Sequence, residues 1–313
     1  MIDFAGQAAV VTGAGRGLGR LYALEMARRG AHIVVNDTGG TITGQGSDPS
    51  VADGVVDEIR LAGGSAVASF DSVASPEGGA AIVGAALDAF GRVDAVVSNA
   101  GIYEMAAIDK ITPERWRDML GVHLDGGFYV AQPAFTAMKA QGYGRFVFVA
   151  SQMGAFGQHR NAAYASAKAG LIGLSNVVAQ EGERHNILSN TILPIGATRM
   201  LDTTSDRRVT ALEEQFFARI DPNRVVPLVV YFASRDCAAS HHNVSSGAGR
   251  YGRAFMGLTE GWMADPDGPV PSVEDIAEHW SEIASTENFT VPMSSWEEIL
   301  GICARLGIAD GEA

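Results

Sequence analysis

The chain has 313 residues, 47% apolar and 19% charged, which is enough apolar material for one sizeable core and argues against a disordered chain. Its formal net charge of −13 argues against nucleic-acid binding and against attraction to anionic membrane surfaces. The two cysteines, Cys237 and Cys303, have no metal-ligand spacing, and no apolar run reaches the ~18 residues of a membrane span, so a metal-free, non-membrane, cytoplasmic protein with free thiols is expected.

The N-terminus has no basic segment leading into an apolar one and enters a strand pattern almost at once. Ala8–Thr12 reads as a buried strand. A Gly-rich turn follows, then a helix over 18–29 that Gly30 closes. His32–Asn36 is the second strand, 51–62 a helix, 65–70 a strand, 78–90 a helix and Ala95–Ser98 a strand. Residues 113–139 read as one long helix, 145–150 as a strand, 164–185 as a helix and 188–193 as a strand. Strands of near-continuous Val, Ile and Ala are buried on both faces, so the fold class is α/β, a doubly wound parallel sheet with helices on both faces.

After residue 194 the pattern weakens. Residues 206–220 and 222–234 read as helices, 241–250 as a polar, Gly-rich stretch and 264–271 as a loop. Two more helices are expected over 272–285 and 294–306, each opening at a Ser with acids in its first turn. Residues 1–250 therefore form the main domain, with a substrate loop at 195–225, and 251–313 a helical extension packed on the same domain.

The loop between the first strand and first helix reads Thr12-Gly13-Ala14-Gly15-Arg16-Gly17-Leu18-Gly19. Glycines let a backbone approach a pyrophosphate, and a helix N-terminus offers it free N–H groups. Asp37 ends the second strand, ~20 residues on, where a carboxylate can hold both ribose hydroxyls of NAD and repel a 2′-phosphate. Arg16 could instead pair with such a phosphate. NAD rather than NADP is expected, because Asp37 would sit on the discriminating hydroxyl. Asp71-Ser72 and Asn99-Ala100-Gly101 end the third and fourth strands, where parallel sheets bind ligands.

Ser151 ends the fifth strand, and Tyr164 and Lys168 follow at i and i+4 on one helix face. A phenol titrates near pH ~10, and a nearby ammonium lowers that value. Tyr164 can then take an alcohol proton as hydride leaves, while Ser151 holds the same oxygen. The pair alone would be an ordinary surface pair; its company makes it a site.

Thr12–Gly19, Asn99–Gly101, Ser151 and Tyr164–Lys168 together resemble the short-chain dehydrogenase/reductase family and its Rossmann fold. The resemblance implies Tyr164 as acid/base, Ser151 as oxygen stabiliser and Lys168 as phenolate stabiliser and ribose ligand. It also implies that Pro194, Gly196 and Thr198 form the cofactor loop after the sixth strand, and that Gly13, Arg16, Gly17, Leu18, Gly19, Asp37, Asp71, Ser72, Asn99, Ala100 and Gly101 line the rest of that site. One departure is His123 in His123-Leu124-Asp125-Gly126, where the family has an asparagine that helps anchor a proton relay. His123 could bind water in its place, or be a satisfied core residue.

Val35–Gly40, Asp71–Val73, Leu87–Arg92, Val122–Leu124 and Gly142–Arg145 more narrowly resemble the (3R)-hydroxyacyl-CoA dehydrogenase unit of peroxisomal multifunctional enzymes, also linked to 17β-hydroxysteroid oxidation. That implies a secondary alcohol as small-molecule substrate, acyl-CoA-like or steroid-like, and a homodimer or homotetramer. Gln158-His159-Arg160-Asn161 departs from that unit. Arg199, Arg207, Arg208, Arg250 and Arg253 could meet a CoA tail, and Met200, Leu201, Phe216 and Phe217 an apolar body. A smaller terpene, cyclic or aromatic alcohol is the alternative substrate, and a non-catalytic dinucleotide-binding regulator the alternative of another class.

Overall fold

A computed structural model of the chain describes residues 1–197 and 210–308. The chain divides into two compact units, Met1–Ala254 and Phe255–Ala313.

The first unit is built on one eight-stranded sheet. Its strands are β1 (Ala8–Thr12), β2 (His32–Asn36), β3 (Ser65–Ser69), β4 (Ala95–Ser98), β5 (Gly144–Val149), β6 (Ile187–Ile195), β7 (His242–Gly247) and β8 (Arg250–Ala254). They lie in the order β3-β2-β1-β4-β5-β6-β7-β8. All pair in parallel except β8, which returns antiparallel to β7. The order reverses between β1 and β4, which opens a crevice at their carboxyl ends.

Successive strand residues point to opposite faces, so even an unbroken apolar run feeds two cores. Ala9 and Val11 of β1 join one core with Tyr22 and Met26 of α1 (Gly17–Arg28) and Val55 and Ile59 of α2 (Ser50–Leu61). Val10 faces the other, with Ile82 and Val83 of α3 (Pro76–Phe90). The chain then forms α4 (Pro113–Leu120), a π-helical turn (Gly121–Asp125), α5 (Gly126–Gln141), α6 (Gln152–Phe156) and α7 (Ala162–Gly182). Val130 and Ala134 of α5 and Leu171 and Val178 of α7 complete the second core. Later come α8 (Ala211–Phe217) and α9 (Val226–Ala233), of which α9 packs Val226, Val229 and Val230 into the first core.

Several elements differ from the sequence expectation. The span 113–139 is not one regular helix: the π-turn interrupts it with His123 at its centre. The polar stretch 241–250 is largely strand, because β7 is carried by pairing with β6 rather than by apolar alternation. Pro194 and Ile195 belong to β6, opposite Ser246 and Gly247, so the loop after that strand begins at Gly196. The helix starting at 164 begins at Ala162, which puts Tyr164 in its first turn. The expected 272–285 helix is two short ones, α10 (Val273–Glu278) and α11 (Trp280–Ile283).

The second unit also holds α12 (Ser295–Arg305) and a two-stranded ribbon, β9 (Leu258–Thr259) with β10 (Phe289–Thr290). Ser272 and Asp275 form a reciprocal capping box that starts α10. Trp262 stacks on His279 with centroids 4.2 Å apart. None of its described residues is buried. Among the described residues, no helix is long and apolar enough to cross a membrane, and no His, Cys, Asp or Glu cluster could hold a metal.

Helices α3 and α5 cross closely at Gly79, where an added Cβ would come within 2.3 Å of the Tyr129 carbonyl oxygen. Gly79→Ala should therefore force the helices apart and cost about 1–3 kcal/mol. Chemical denaturation would report this as a lower midpoint with an unchanged slope.

Candidate active site

The crevice is stitched together by one hydroxyl. Thr12 Oγ1 accepts from the Asn99 and Ala100 N–H groups, each at 3.0 Å, which joins the end of β1 to the end of β4. Asn99 Nδ2 answers by donating to the carbonyls of Thr12 (2.9 Å) and Gly13 (3.1 Å). The turn itself needs glycine: Gly13 has φ +62°, and a Cβ there would lie 2.8 Å from Ala100 Cα. Gly19 sits so close to the turn that a Cβ would reach the Gly13 carbonyl at 2.2 Å. Arg16 precedes α1 and makes no side-chain capping bond, so the first N–H groups at Gly17 and Leu18 lack a side-chain partner there. A close-packed glycine cradle at an uncapped helix N-terminus fits a dinucleotide pyrophosphate.

Asp37 sits at the end of β2 and turns toward this loop. Its Oδ2 accepts from Gly15 N–H (2.9 Å) and its Oδ1 from Gly39 N–H (2.7 Å). Arg16 does not pair with Asp37; its Nη1 donates to the carbonyls of Gly40 (3.2 Å) and Gly39 (3.4 Å). Asp71 is exposed and accepts from Ser69 Oγ at 3.1 Å, while Ser72 Oγ accepts from Ala74 N–H at 3.2 Å. Leu18 and Gly196 approach each other, since a Cβ on Gly196 would lie 3.9 Å from Leu18 Cδ2. Thr198, Arg199, Met200, Leu201, Arg207 and Arg208 lie outside the described residues. Phe216 is exposed on α8, and Arg250 donates to Ser245 Oγ.

The second half of the site lies at the end of β5. Ser151 caps α6, its Oγ accepting from Met153 N–H at 3.1 Å. Helix α6 rests on α7 through Gly154, where a Cβ would lie 2.7 Å from Ala169 N. That contact holds Ser151 beside the first turn of α7. Tyr164 and Lys168 are 8% and 3% exposed, so both titrating groups lie out of water. Lys168 Nζ donates to the Val149 carbonyl at 2.6 Å and lies 5.7 Å from the centre of the Tyr164 ring.

Burial works on the two groups in opposite directions, because it disfavours whichever form is charged. It pushes the Tyr164 phenol up to about 12, partly offset by hydrogen bonding with Ser151. It pulls Lys168 down to about 7. His123 is held well below the usual histidine range by burial and then by the charge of Lys168, so it is neutral.

Sequence reasoning missed two contributors. Tyr103, two residues beyond Gly101, stands edge-on to Tyr164 with ring centroids 5.2 Å apart. The segment after Asp37 reaches across the crevice, and the Ile42 carbonyl accepts from Tyr103 N–H at 2.8 Å. Tyr103, Met119, Ala163 and Tyr164 form a small apolar cluster of their own, flanked by Ile42 and Met153. The aromatic at 103, just past a strand-end glycine, was the available signal.

Residues 7–209 match the short chain dehydrogenase family. The chain is 44% identical to a putative short-chain type dehydrogenase/reductase of Mycobacterium tuberculosis, covering 88% of this chain and 92% of that one. It is 38% identical to peroxisomal multifunctional enzyme A of Dictyostelium discoideum, over 100% of this chain and 68% of the relative. The full-length peroxisomal multifunctional enzyme type 2 of Drosophila melanogaster superposes with a TM-score of 0.79 at 33% identity, over 97% of this chain and 50% of that one. This chain thus spans only half of that longer protein. With its glycine cradle, its strand-end Ser151 and its buried Tyr164 and Lys168, the chain belongs to the short chain dehydrogenase family, oxidoreductases acting on CH–OH groups.

Proposed function

We propose that the chain is an NAD-dependent dehydrogenase that interconverts a secondary alcohol and a ketone, with a 3-hydroxyacyl thioester or steroid-like alcohol as substrate. The observation that carries the reading is the joint burial of Tyr164 and Lys168 beside Ser151. A bound nicotinamide supplies the hydride acceptor. The Tyr164 phenolate oxygen takes the proton of the substrate alcohol and becomes the phenol, and the Ser151 hydroxyl holds the same substrate oxygen. Lys168, which burial brings to about 7, favours the phenolate of Tyr164 while it is protonated. Alcohol oxidation therefore gains from rising pH, since it needs the phenolate.

The NAD preference rests on Asp37. Its carboxylate lies against the glycine loop, where it can meet ribose hydroxyls and repel a 2′-phosphate. Arg16, the residue that could favour NADP, is engaged by two carbonyls instead. An acyl thioester is supported by the relatives named as multifunctional enzymes and by a cavity of about 190 Å³ whose lining includes Ile102, Tyr103, Ile111, Met119, Lys110 and Arg115. The two cations there already pair, with Asp109 and Glu104 respectively. A homodimer or homotetramer is proposed on the exposed Phe128 of α5 and Val177 of α7. A cytoplasmic location is proposed on the unpaired cysteines Cys237 and Cys303.

Purified protein with NAD and a panel including 3-hydroxyacyl-CoA thioesters, hydroxysteroids and small cyclic alcohols should form NADH. Tyr164→Phe should lower kcat by about 10²–10⁴-fold while NAD affinity is kept; comparable turnover would remove Tyr164 from the acid/base role. Asp37→Ala should narrow the ratio of NAD to NADP efficiency, and a wild-type preference for NADP would overturn the cofactor assignment. A third measurement needs no substrate. Between pH 7 and 10.5 the unfolded chain binds one proton more at Lys168 than the folded chain, so stability at this site rises with pH across that window. Lys168→Met removes this dependence, so its Tm advantage over wild type should be largest near pH 7 and shrink toward pH 10.5.

A further inference from the structure

The ring of Tyr164 has an aromatic ring on each of two neighbouring elements. Tyr103, on the loop after β4, meets it at 5.2 Å and 88°. His123, on the π-turn between α4 and α5, meets it at 5.2 Å and 86°. Perpendicular, edge-to-face contacts are one of the favoured geometries for aromatic pairs. Both partners are buried, at 5% and 2% exposure.

Both are also tied to the same three-residue segment. His123 Nε2 lies 2.8 Å from the Ile102 carbonyl oxygen and 3.2 Å from Ile102 N. One nitrogen cannot donate and accept at once, and the shorter contact assigns the ring proton to Nε2, donating to the carbonyl. The imidazole fills the place where Gly101 would carry a side chain, since a Cβ there would lie 2.4 Å from His123 Cε1. Tyr103 is held from the other side by the backbone bond from its N–H to Ile42. Its hydroxyl faces the side chain of Asn161. The segment Gly101–Tyr103 is thus fixed by His123 on one flank and by the segment after Asp37 on the other.

We propose that Tyr103 and His123 are positioning residues that clamp the reactive ring of Tyr164 between two perpendicular rings, His123 acting as a neutral bracket rather than as a proton carrier. The proposal rests on the role of Tyr164 given above. The clamp fixes the direction of the phenol and keeps water off it. The titratable groups facing Tyr164 are Lys168 one turn along α7, His123 on the π-turn and Tyr103 on the loop; Ser151 adds a neutral hydroxyl. Burial is the largest cause of the high value of the phenol, so admitting water should lower it.

The test uses the full chain with 3-fluorotyrosine in place of tyrosine, which brings phenol titration into a range the fold tolerates. Fluorine NMR then follows position 164, assigned by its loss in Tyr164→Phe. Tyr103→Ala should lower the titration midpoint of that resonance by about one pH unit and lower kcat by about tenfold, with the KM for NAD within about twofold of wild type. Tyr103→Phe keeps the ring and should keep the midpoint within about 0.3 units. Should Tyr103→Ala fail to fold, Tyr103→Leu replaces it, with a shift of the same sign. His123→Phe keeps a ring without a proton and should lose less than about tenfold in kcat. An unmoved midpoint on loss of the Tyr103 ring overturns the clamp, as does a loss in His123→Phe as deep as in Tyr164→Phe, which would make His123 a proton carrier. Failure of wild-type enzyme to oxidise any alcohol would instead count against the proposed reaction, because the fluorine titration does not depend on turnover.

Discussion

The removal of an ammonium and a phenol from water, one helical turn apart, is the constraint on which the rest of this structure depends. An isolated buried ammonium is costly, and Lys168 is relieved by one short bond to a strand-end carbonyl. That bond is available only because the first turns of α7 lie over the end of β5. The placement requires in turn that α6 lie flat against α7, which Gly154 permits by having no side chain. Burial then moves Tyr164 and Lys168 in opposite senses, each toward its neutral form. The site is tuned by what surrounds it as much as by the residues themselves.

The dinucleotide end is organised by a different device with a similar logic. The sheet order reverses between β1 and β4, so two strand ends that are far apart in the chain lie side by side. Thr12 and Asn99 tie them with reciprocal bonds between side chain and backbone. The glycines between them leave room for a ligand backbone, and Asp37 arrives from the neighbouring β2 end. The segment beyond Asp37 carries the chain back to Tyr103. Ile42 of that segment packs against the cluster that holds Tyr103 and Tyr164.

Much of this was legible in the residues. The strands up to β6 stand out because sheets buried on both faces need near-continuous Val, Ile and Ala. The glycine loop, Asp37, Ser151, Tyr164 and Lys168 are local signals whose spacing follows from strand-turn-helix geometry. His123 was visible as an oddity, yet its surroundings were not. Its place in a π-turn and its bond to Ile102 arise between segments about twenty residues apart, and no periodicity encodes them. Strands β7 and β8 escaped notice because edge strands rich in Ser, Asn and Gly are made by pairing and not by apolar alternation.

The sequence by itself determined the fold class, the order of the motifs and the candidate groups for the proposed chemistry. Those depend on side-chain period, turn residues and reactive atoms, which are properties of short segments. Only the tertiary structure decided that Arg16 is occupied by carbonyls while Asp37 faces the glycine loop. It alone decided that Tyr103 meets the Tyr164 ring and that His123 binds a backbone carbonyl. These are contacts between distant segments, set by how two strand ends and three loops pack in one crevice, and their geometry is specified by the whole fold rather than by any stretch of it.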